Sequence, residues 1–375
     1  MTIFRTSIAT GFLLLLTACA SAENLADASR PGAAPQQIAP YQNGHGRDRP
    51  IIAVIGENDG TEMTDFLIPY DVLSRSQAAQ VLAVSTGPGL VQLHPGLRIQ
   101  PQASLEAFDT RFPAGADYVI LPAMHKQDDK VLQQWLAGQS AKGATVVSIC
   151  DGALVAADAG LLKGKRGTAH WATEAHRTDH YPDTVWVKNT RYVADGQMVS
   201  SAGISAALPV SLALVEAIAG RERAVRLAAE MGVTDWSDRH DSDRFQLSHF
   251  GNLADMAVAH GTNGWFHDTE TIGIPLEPGI DEMVLAVFTD AYGRTGRSRP
   301  SPVVAAGESI VSRNGLTILP AQSVIGRKVD RMLPGLGGIS PGQSFDKALQ
   351  SVEESYGSTT SAAVALEFEY PRKAN

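Results

Sequence analysis

Residues 145–153 read TVVSICDGA, a β-branched and apolar run that leads directly into a cysteine and a glycine. The run predicts a buried strand, and the residues that follow, as far as Ala159, have a helical pattern. A cysteine on a tight strand-to-helix turn projects its side chain from the carboxyl end of a sheet, where the first helix amides stabilise a thiolate. Gly152 allows the backbone to pass close behind Cys150. The stretch therefore predicts a nucleophile elbow, with a cysteine packed inertly at a strand end as the alternative.

Alternating strand and helix patterns surround this turn. The predicted elements are strands at 51–55, 81–84, 97–99, 118–121 and 145–149, and helices at 63–75 and 130–141. Pro69 lies inside the first helix and predicts a kink there. Such alternation is typical of an α/β fold, a doubly wound sandwich with a mostly parallel, flavodoxin-like sheet.

Five motifs follow one another along this part of the chain. They read DFLIPYDVL at 65–73, VSICDGA at 147–153, AGLLKG at 159–164, TAHW at 168–171 and SAGISA at 201–206. Together they resemble the ThiJ/PfpI superfamily, within the class I glutamine amidotransferase-like fold. The resemblance is to its isonitrile-hydratase-like members in particular, and to the ligand domains of AraC-type regulators.

The resemblance implies roles for three residues. Cys150 corresponds to the elbow nucleophile, His170 to the histidine found near it, and Asp65 to the acidic residue that hydrogen-bonds the thiol. The chemistry is coherent, because a carboxyl beside a thiol can accept or donate a proton while turn amides hold the thiolate. Without the motif, Asp65 would be assigned to a helix surface and His170 to a structural role.

Two departures from the family pattern concern the pocket around the cysteine. Asp151 stands where hydratase-like relatives usually carry threonine, and a carboxylate there disfavours a thiolate unless its side chain turns away. Ala123 and Met124 replace the glycines of a loop whose amides, opposite Cys150, normally complete an oxyanion site; these two residues, Asp151 and Gly152 are therefore the expected pocket residues. The substrate therefore stays open.

The N-terminal residues have the layout of an export signal. Arg5 is followed by a short apolar core and by LTAC at 16–19, which resembles a lipoprotein-type signal in which Cys19 is acylated. The core is much shorter than the roughly 20 residues of a membrane-spanning helix. An ordinary signal peptide with a stray cysteine is the alternative. We expect a lipid-anchored protein on the periplasmic side of a bacterial membrane, with Ala20 favouring the outer membrane.

The rest of the chain divides by composition. After the signal, residues 20–48 predict a flexible tether. The ThiJ/PfpI-like domain takes residues 49–232, and polar residues 233–268 predict a linker without the helix-turn-helix of AraC-type regulators.

Residues 269–375 repeat part of the first domain's pattern. The pairs are 279–290 with 60–71, 315–320 with 96–101, 333–335 with 121–123, and a strand-like run at 362–368 with the strand before the elbow. We interpret this region as a second, incomplete copy, a degenerate half-repeat without nucleophile. Half a sheet leaves an apolar edge and face, so we expect it to pack on the first domain or on another subunit. Chance similarity of two α/β segments is the alternative.

Composition and motifs also restrict the partners. The net charge of −9 carries no basic footprint, so nucleic acid is not expected. No metal motif and no dinucleotide fingerprint occur, and we expect neither a metal nor a cofactor. If Cys19 is acylated, Cys150 has no disulfide partner. We predict a cysteine-dependent hydrolase, hydratase or lyase acting on a small electrophilic molecule; the alternative is a non-catalytic ligand-binding or redox-sensing module. Superfamily members are commonly dimers, so the resemblance allows a homodimer.

Overall fold

A computed structural model describes residues 25–27 (backbone only), 35–257, 259, 261, 263, 267–321, 326 and 328–371. The predicted signal and its Cys19 lie outside the described residues. Within the described ranges, no helix has the length and apolar character needed to cross a membrane.

The strands, in chain order, are β1 (Leu25–Asp27), β2 (Ile51–Gly56), β3 (Thr61–Glu62), β4 (Gln80–Ser85), β5 (Val91–His94), β6 (Leu97–Gln100), β7 (Ala103–Ser104), β8 (Tyr118–Leu121), β9 (Thr145–Ser148), β10 (Arg166–Gly167), β11 (Val185–Lys188), β12 (Tyr192–Asp195), β13 (Met198–Ser201), β14 (Glu270–Leu276), β15 (Ser298–Val304), β16 (Ile310–Val311), β17 (Thr317–Pro320) and β18 (Arg331–Met332). The helices are α1 (Met63–Ser76), α2 (Leu105–Arg111), α3 (Lys130–Ala141), α4 (Gly152–Asp158), α5 (Glu174–His180), α6 (Ala207–Ala219), α7 (Arg221–Met231), α8 (Phe250–Ala257), α9 (Glu282–Gly293), α10 (Ser344–Tyr356) and α11 (Ser358–Glu367).

The central sheet has the order β12-β13-β9-β8-β2-β4-β7 and is parallel except for the β12–β13 pair. Alternate residues of β2 enter two apolar clusters: Ile52 and Val54 join one, Ile51, Ala53 and Ile55 the other. Both faces of the strand are therefore covered, as its uninterrupted apolar run predicts. The predicted α/β class with a mostly parallel sheet is confirmed.

The strand predicted at 97–99 forms, but outside the central sheet. Strand β6 makes an antiparallel pair with β5 and belongs to a five-stranded sheet of order β16-β17-β6-β5-β3. Leu97 and Ile99 are buried while Arg98 and Gln100 are not, which is the alternation of a strand covered on one face. This smaller sheet includes strands from both ends of the chain.

A second partial α/β region follows residue 269. Strands β15, β14 and β18 form a parallel sheet in that order, and α9 packs directly against α1 of the first region. Both helices contribute to one apolar cluster, which contains Phe66 and Tyr70 from α1 and Val284 and Phe288 from α9. The two regions thus share a hydrophobic core.

The run at 362–368, predicted as a strand, lies mainly in helix α11. Its alternating apolar positions suggested a strand, but the alanines at 362, 363 and 365 favour a helix. The helix buries Ala363, Val364 and Leu366 and packs on α10. Because two faces are covered, the period of two carries no information there.

The described parts of the predicted flexible tether and of the predicted linker contact the domain. In the predicted tether, Ile38 is buried and Arg47 forms a 2.6 Å ion pair with buried Asp117. In the predicted linker, α8 and a 3₁₀ turn form, and the backbone carbonyl of Asp238 accepts a 2.8 Å hydrogen bond from Arg191. The Ile38 side chain and the Asp117 carboxyl are buried, and a buried acceptor needs a hydrogen-bond partner. The described parts of both segments therefore belong to the fold.

Candidate active site

The cysteine occupies a strained turn at the end of β9. Cys150 has a φ of +54°, a left-handed conformation that is unfavourable for a residue with a side chain. A Cβ atom on Gly152 would lie 2.0 Å from the carbonyl oxygen of Leu121, so only glycine fits where the turn crosses β8. The Cys150 amide donates a 3.3 Å hydrogen bond to the hydroxyl of Ser201 on β13. These contacts support the predicted elbow geometry.

The Asp65 carboxyl lies in the first turn of α1 and is fully buried. Its Oδ2 accepts a 3.2 Å hydrogen bond from the amide of Ala123, while Oδ1 has no partner among the described residues. Burial, followed by the charge of Glu62, raises the pKa of Asp65 well above its usual range. The raised pKa favours the protonated form of this carboxyl, and the unpartnered oxygen is a candidate proton donor.

The thiol of Cys150 is also buried, with 6% of the residue exposed. Burial raises the pKa of Cys150 well above its ordinary value, and the carboxyl groups of Asp65, Asp151 and Glu62 raise it further when they are ionised. A hydrogen bond from the Asp151 amide acts in the opposite direction but is outweighed. The resting site therefore holds a neutral thiol, not the thiolate that the turn amides led us to expect.

Asp151 turns partly away from the cysteine. Its Oδ1 accepts a 2.7 Å hydrogen bond from the hydroxyl of Thr173. Burial raises the pKa of Asp151, whereas the neighbouring His170, the Thr173 hydrogen bond and the charge of Arg177 lower it. The hydrogen bond accommodates the carboxylate that replaces threonine, although its charge still disfavours a thiolate.

His170 lies near the elbow, but both of its ring nitrogens are occupied. Nδ1 accepts a 3.2 Å hydrogen bond from the amide of Ala172, so Nε2 carries the proton and donates to the backbone carbonyl of Glu367 at 3.0 Å. A Cβ on Gly203 would lie 2.6 Å from the His170 ring. The predicted role in proton transfer to or from the thiol is therefore wrong for this arrangement, since neither nitrogen is free to exchange a proton with it.

The loop opposite the elbow does not provide the expected oxyanion donors. The Ala123 amide is used by Asp65, and the Ala123 carbonyl accepts a 2.9 Å hydrogen bond from Glu62. Met124 is buried and forms an isolated antiparallel bridge with Thr61. Ala123 and Met124 therefore line the surroundings of Asp65, and the predicted oxyanion role of the Ala123 amide is corrected: this amide positions the carboxyl.

Further polar residues around the elbow escaped the sequence reasoning. Arg177 is buried and donates to the carbonyl of His170 at 2.6 Å. Glu369 is buried beside Gly203 and accepts a 2.9 Å hydrogen bond from His240; although burial opposes it, this contact lowers the pKa of Glu369. Glu369 comes from a segment 166 residues away from Gly203, and no local motif marks either residue.

A second polar network links α1 to the C-terminal region. Arg294, just after α9, forms 2.9 Å ion pairs with Asp290 and Glu367 and contacts Glu62. Within the described residues, no group of three or more His, Cys, Asp or Glu side chains is placed to hold a metal ion.

A cysteine on a strained strand-to-helix turn, beside a buried carboxyl and at the carboxyl end of a mostly parallel sheet, defines an α/β protein with a nucleophile elbow. Residues 51–217 match the model of the DJ-1/PfpI family. The isonitrile hydratase of Pseudomonas putida is 32% identical over 169 residues, which are 44% of this chain and 70% of the relative. The chain belongs to the DJ-1/PfpI family.

Two other proteins are similar to part of this chain. The HTH-type transcriptional regulator CdhR of Pseudomonas aeruginosa is 32% identical over 117 residues, which are 31% of this chain and 34% of the regulator. The crystal structure of Drosophila melanogaster DJ-1beta is 24% identical and has a TM-score of 0.46, covering 50% of this chain and all of that one.

Proposed function

We propose that the chain is a cysteine-dependent enzyme of the hydratase or hydrolase type that acts on a small electrophilic molecule. The observation that supports this most directly is the pair formed by Cys150, held at a positive φ, and Asp65, which has one buried oxygen without a partner. Strain and an unsatisfied buried polar atom are each unfavourable for folding, and both concentrate at functional sites. The similarity to isonitrile hydratase makes a small isonitrile the first substrate to test.

The reaction starts from a neutral thiol and a protonated carboxyl. Asp65 donates its proton to the substrate multiple bond while the sulfur of Cys150 attacks the electrophilic carbon, and the thiol proton passes to the Asp65 carboxylate. One S–H bond breaks, one S–C bond forms, and the substrate gains one hydrogen. Water then adds to the covalent adduct, the C–S bond breaks, and the product leaves as the thiol is restored. An isonitrile would yield the N-substituted formamide.

The test is formamide formation from a small isonitrile by the full chain and by Cys150→Ser and Asp65→Asn. We expect both variants to lose at least about 100-fold in kcat/KM, since each removes a group that moves the proton or forms the bond. Ser76→Ala serves as a control far from the elbow on the same helix as Asp65. Equal turnover in wild type and Cys150→Ser would refute the proposal.

The hydrogen bonds and charges around Cys150 favour a second candidate function, that of a non-catalytic ligand-binding or redox-sensing module. Both nitrogens of His170 and the Ala123 amide are engaged, and burial together with the negative charges nearby raises the pKa of the Cys150 thiol. A module of this kind would bind a small ligand without turnover; conversion of Cys150 to a sulfenic or sulfinic acid requires the thiolate, which the raised pKa of the buried thiol disfavours. Peptide mass spectrometry after mild peroxide treatment distinguishes the two, because a sensor oxidises at Cys150 while showing no turnover of any substrate.

A further inference from the structure

The elements of the C-terminal region follow those of the first region at a constant separation. Strands β2 and β14 begin at Ile51 and Glu270, 219 residues apart. The same separation relates the first residues of α1 and α9 and those of β5 and β16. The sheet order β4-β2-β8 has its counterpart in β15-β14-β18, with parallel pairing in both.

The contact between β6 and β17 places this relationship in space. The strands pair antiparallel, and Ile99 lies directly opposite Ile318, its own counterpart 219 residues later. On either side, Arg98 faces Leu319 and Gln100 faces Thr317, so each strand meets the other as it would meet itself after a half-turn. Equivalent residues that pair with each other are the property of an isologous interface. A local twofold axis therefore passes between Ile99 and Ile318.

Two sets of ion pairs that join the two regions are related by the same twofold axis. Arg75 contacts Asp71 four residues earlier at 2.8 Å and Asp281 of the other region at 2.6 Å. Arg294 contacts Asp290 four residues earlier at 2.9 Å and reaches across to Glu62. Asp71 and Asp290 correspond by the same separation, as do Glu62 and Asp281. Burial raises the pKa of both Asp71 and Asp290 to about 8.

The two sides differ where chemistry is concerned. Asp281 caps its own helix by accepting a 3.1 Å hydrogen bond from the Val284 amide. Glu62 makes no such cap, and its charge instead acts on Asp65 and on the thiol. At the position that corresponds to Asp65, the second region has Val284, a buried apolar residue. Of the two ion pairs that join the regions, Glu62–Arg294 and Asp281–Arg75, the first therefore affects the pKa values of Asp65 and Cys150.

The second region also covers the flank of the elbow. The carbonyl of Leu366 accepts a 3.1 Å hydrogen bond from the Trp171 indole, and the carbonyl of Glu367 accepts one from His170. The side chain of Glu367 contacts Arg294 in turn. Arg294 thus contacts both Glu62 and Glu367, the residue whose carbonyl accepts the hydrogen bond from His170.

We propose that residues 270–371 take the place of a second subunit across this local twofold axis, and that Arg294 from this internal partner is a positioning residue for the Cys150 site, acting through Glu62. The inference rests on the site named under the proposed function, but it concerns the ionisation of the thiol and does not require turnover. Arg294 neutralises Glu62 and so limits the negative field at the thiol. Arg75 performs the same task for Asp281, where no thiol is present.

The experiment compares Arg294→Met with its symmetry counterpart Arg75→Met in the full chain. Iodoacetamide modification of Cys150 is followed by peptide mass spectrometry as a function of pH. We expect Arg294→Met to react about 3- to 10-fold more slowly below the midpoint of the pH profile, because the unpaired charge of Glu62 raises the pKa of the thiol further. Arg75→Met should react within about 2-fold of wild type.

Two further variants keep the test decisive if Arg294→Met is poorly folded. Glu62→Gln alone should shift the profile in the opposite direction, towards faster reaction, and Glu62→Gln combined with Arg294→Met should restore the wild-type profile. An equal shift in Arg294→Met and Arg75→Met, or no shift in Arg294→Met and Glu62→Gln, would overturn the inference. The proposed activity fails separately, by absence of turnover in the wild-type protein.

Discussion

Substitution of Gly152 by alanine is the most direct test of the elbow geometry. The added Cβ would lie 2.0 Å from the Leu121 carbonyl oxygen and 2.9 Å from two atoms of the Pro122 backbone. Ordinary contact begins at 3.4 Å, so the turn would have to move by about 1 Å or more in a closely packed interior. Neither neighbour is a flexible side chain that could turn aside.

The magnitude follows from two contributions. Overpacking against backbone costs about 1–3 kcal/mol, and the same carbonyl of Leu121 accepts a 2.9 Å hydrogen bond from Ile149 that would weaken. That bond contributes about 1 kcal/mol, so we expect the free energy of unfolding to fall by about 2–4 kcal/mol. The higher helix propensity of alanine offsets little of this loss, because Gly152 is the first residue of α4 and not an interior one.

The assay is urea denaturation followed by circular dichroism, with Gly138→Ala as the matched control. Gly138 lies within α3, where an added Cβ meets nothing within 4 Å. The same chemical change there should raise the free energy of unfolding by about 0.5–1 kcal/mol. If Gly152→Ala is as stable as wild type within about 0.5 kcal/mol, the close crossing of the elbow and β8 is not as described.

Three further outcomes are expected. Asp65→Asn should gain stability relative to wild type as the pH rises above about 4, by at most about 1.4 kcal/mol per pH unit. The reason is that native Asp65 retains a proton that the unfolded chain releases. In urea denaturation, a stability difference between variant and wild type that stays constant from pH 5 to 8 would contradict the raised pKa. Ile99→Ala and Ile318→Ala should each lower the free energy of unfolding by about 2–4 kcal/mol, and the double variant should lose less than the sum because the two residues face each other; strict additivity would argue against this contact. Cys19→Ala should abolish incorporation of radiolabelled palmitate and release the chain from membranes in a bacterial host, whereas a wild-type chain that takes up no label would refute the lipoprotein-type signal.

The strand-to-helix elements around the elbow could be predicted from local patterns. The uninterrupted apolar run of β2 and the cysteine-glycine turn after β9 each depend on a few consecutive residues, and both formed as predicted. The prediction at 362–368 was wrong because a segment buried on more than one face has no polar positions to mark its period. The contacts made by the described parts of the predicted tether and linker could not be predicted for a related reason, since composition does not show which residues find partners.

The amino-acid sequence by itself determined the α/β class, the position of the elbow and the residues Cys150 and Asp65, because these depend on short-range periodicity, glycine geometry and a motif. Only the tertiary structure decided their chemical state. Burial raises the pKa of both the thiol and the carboxyl and so favours their neutral forms, and burial depends on the whole packed chain. The contacts that occupy His170 and pair Glu62 join residues about 200 or more positions apart, and their electrostatic effects depend on distances that no local pattern encodes.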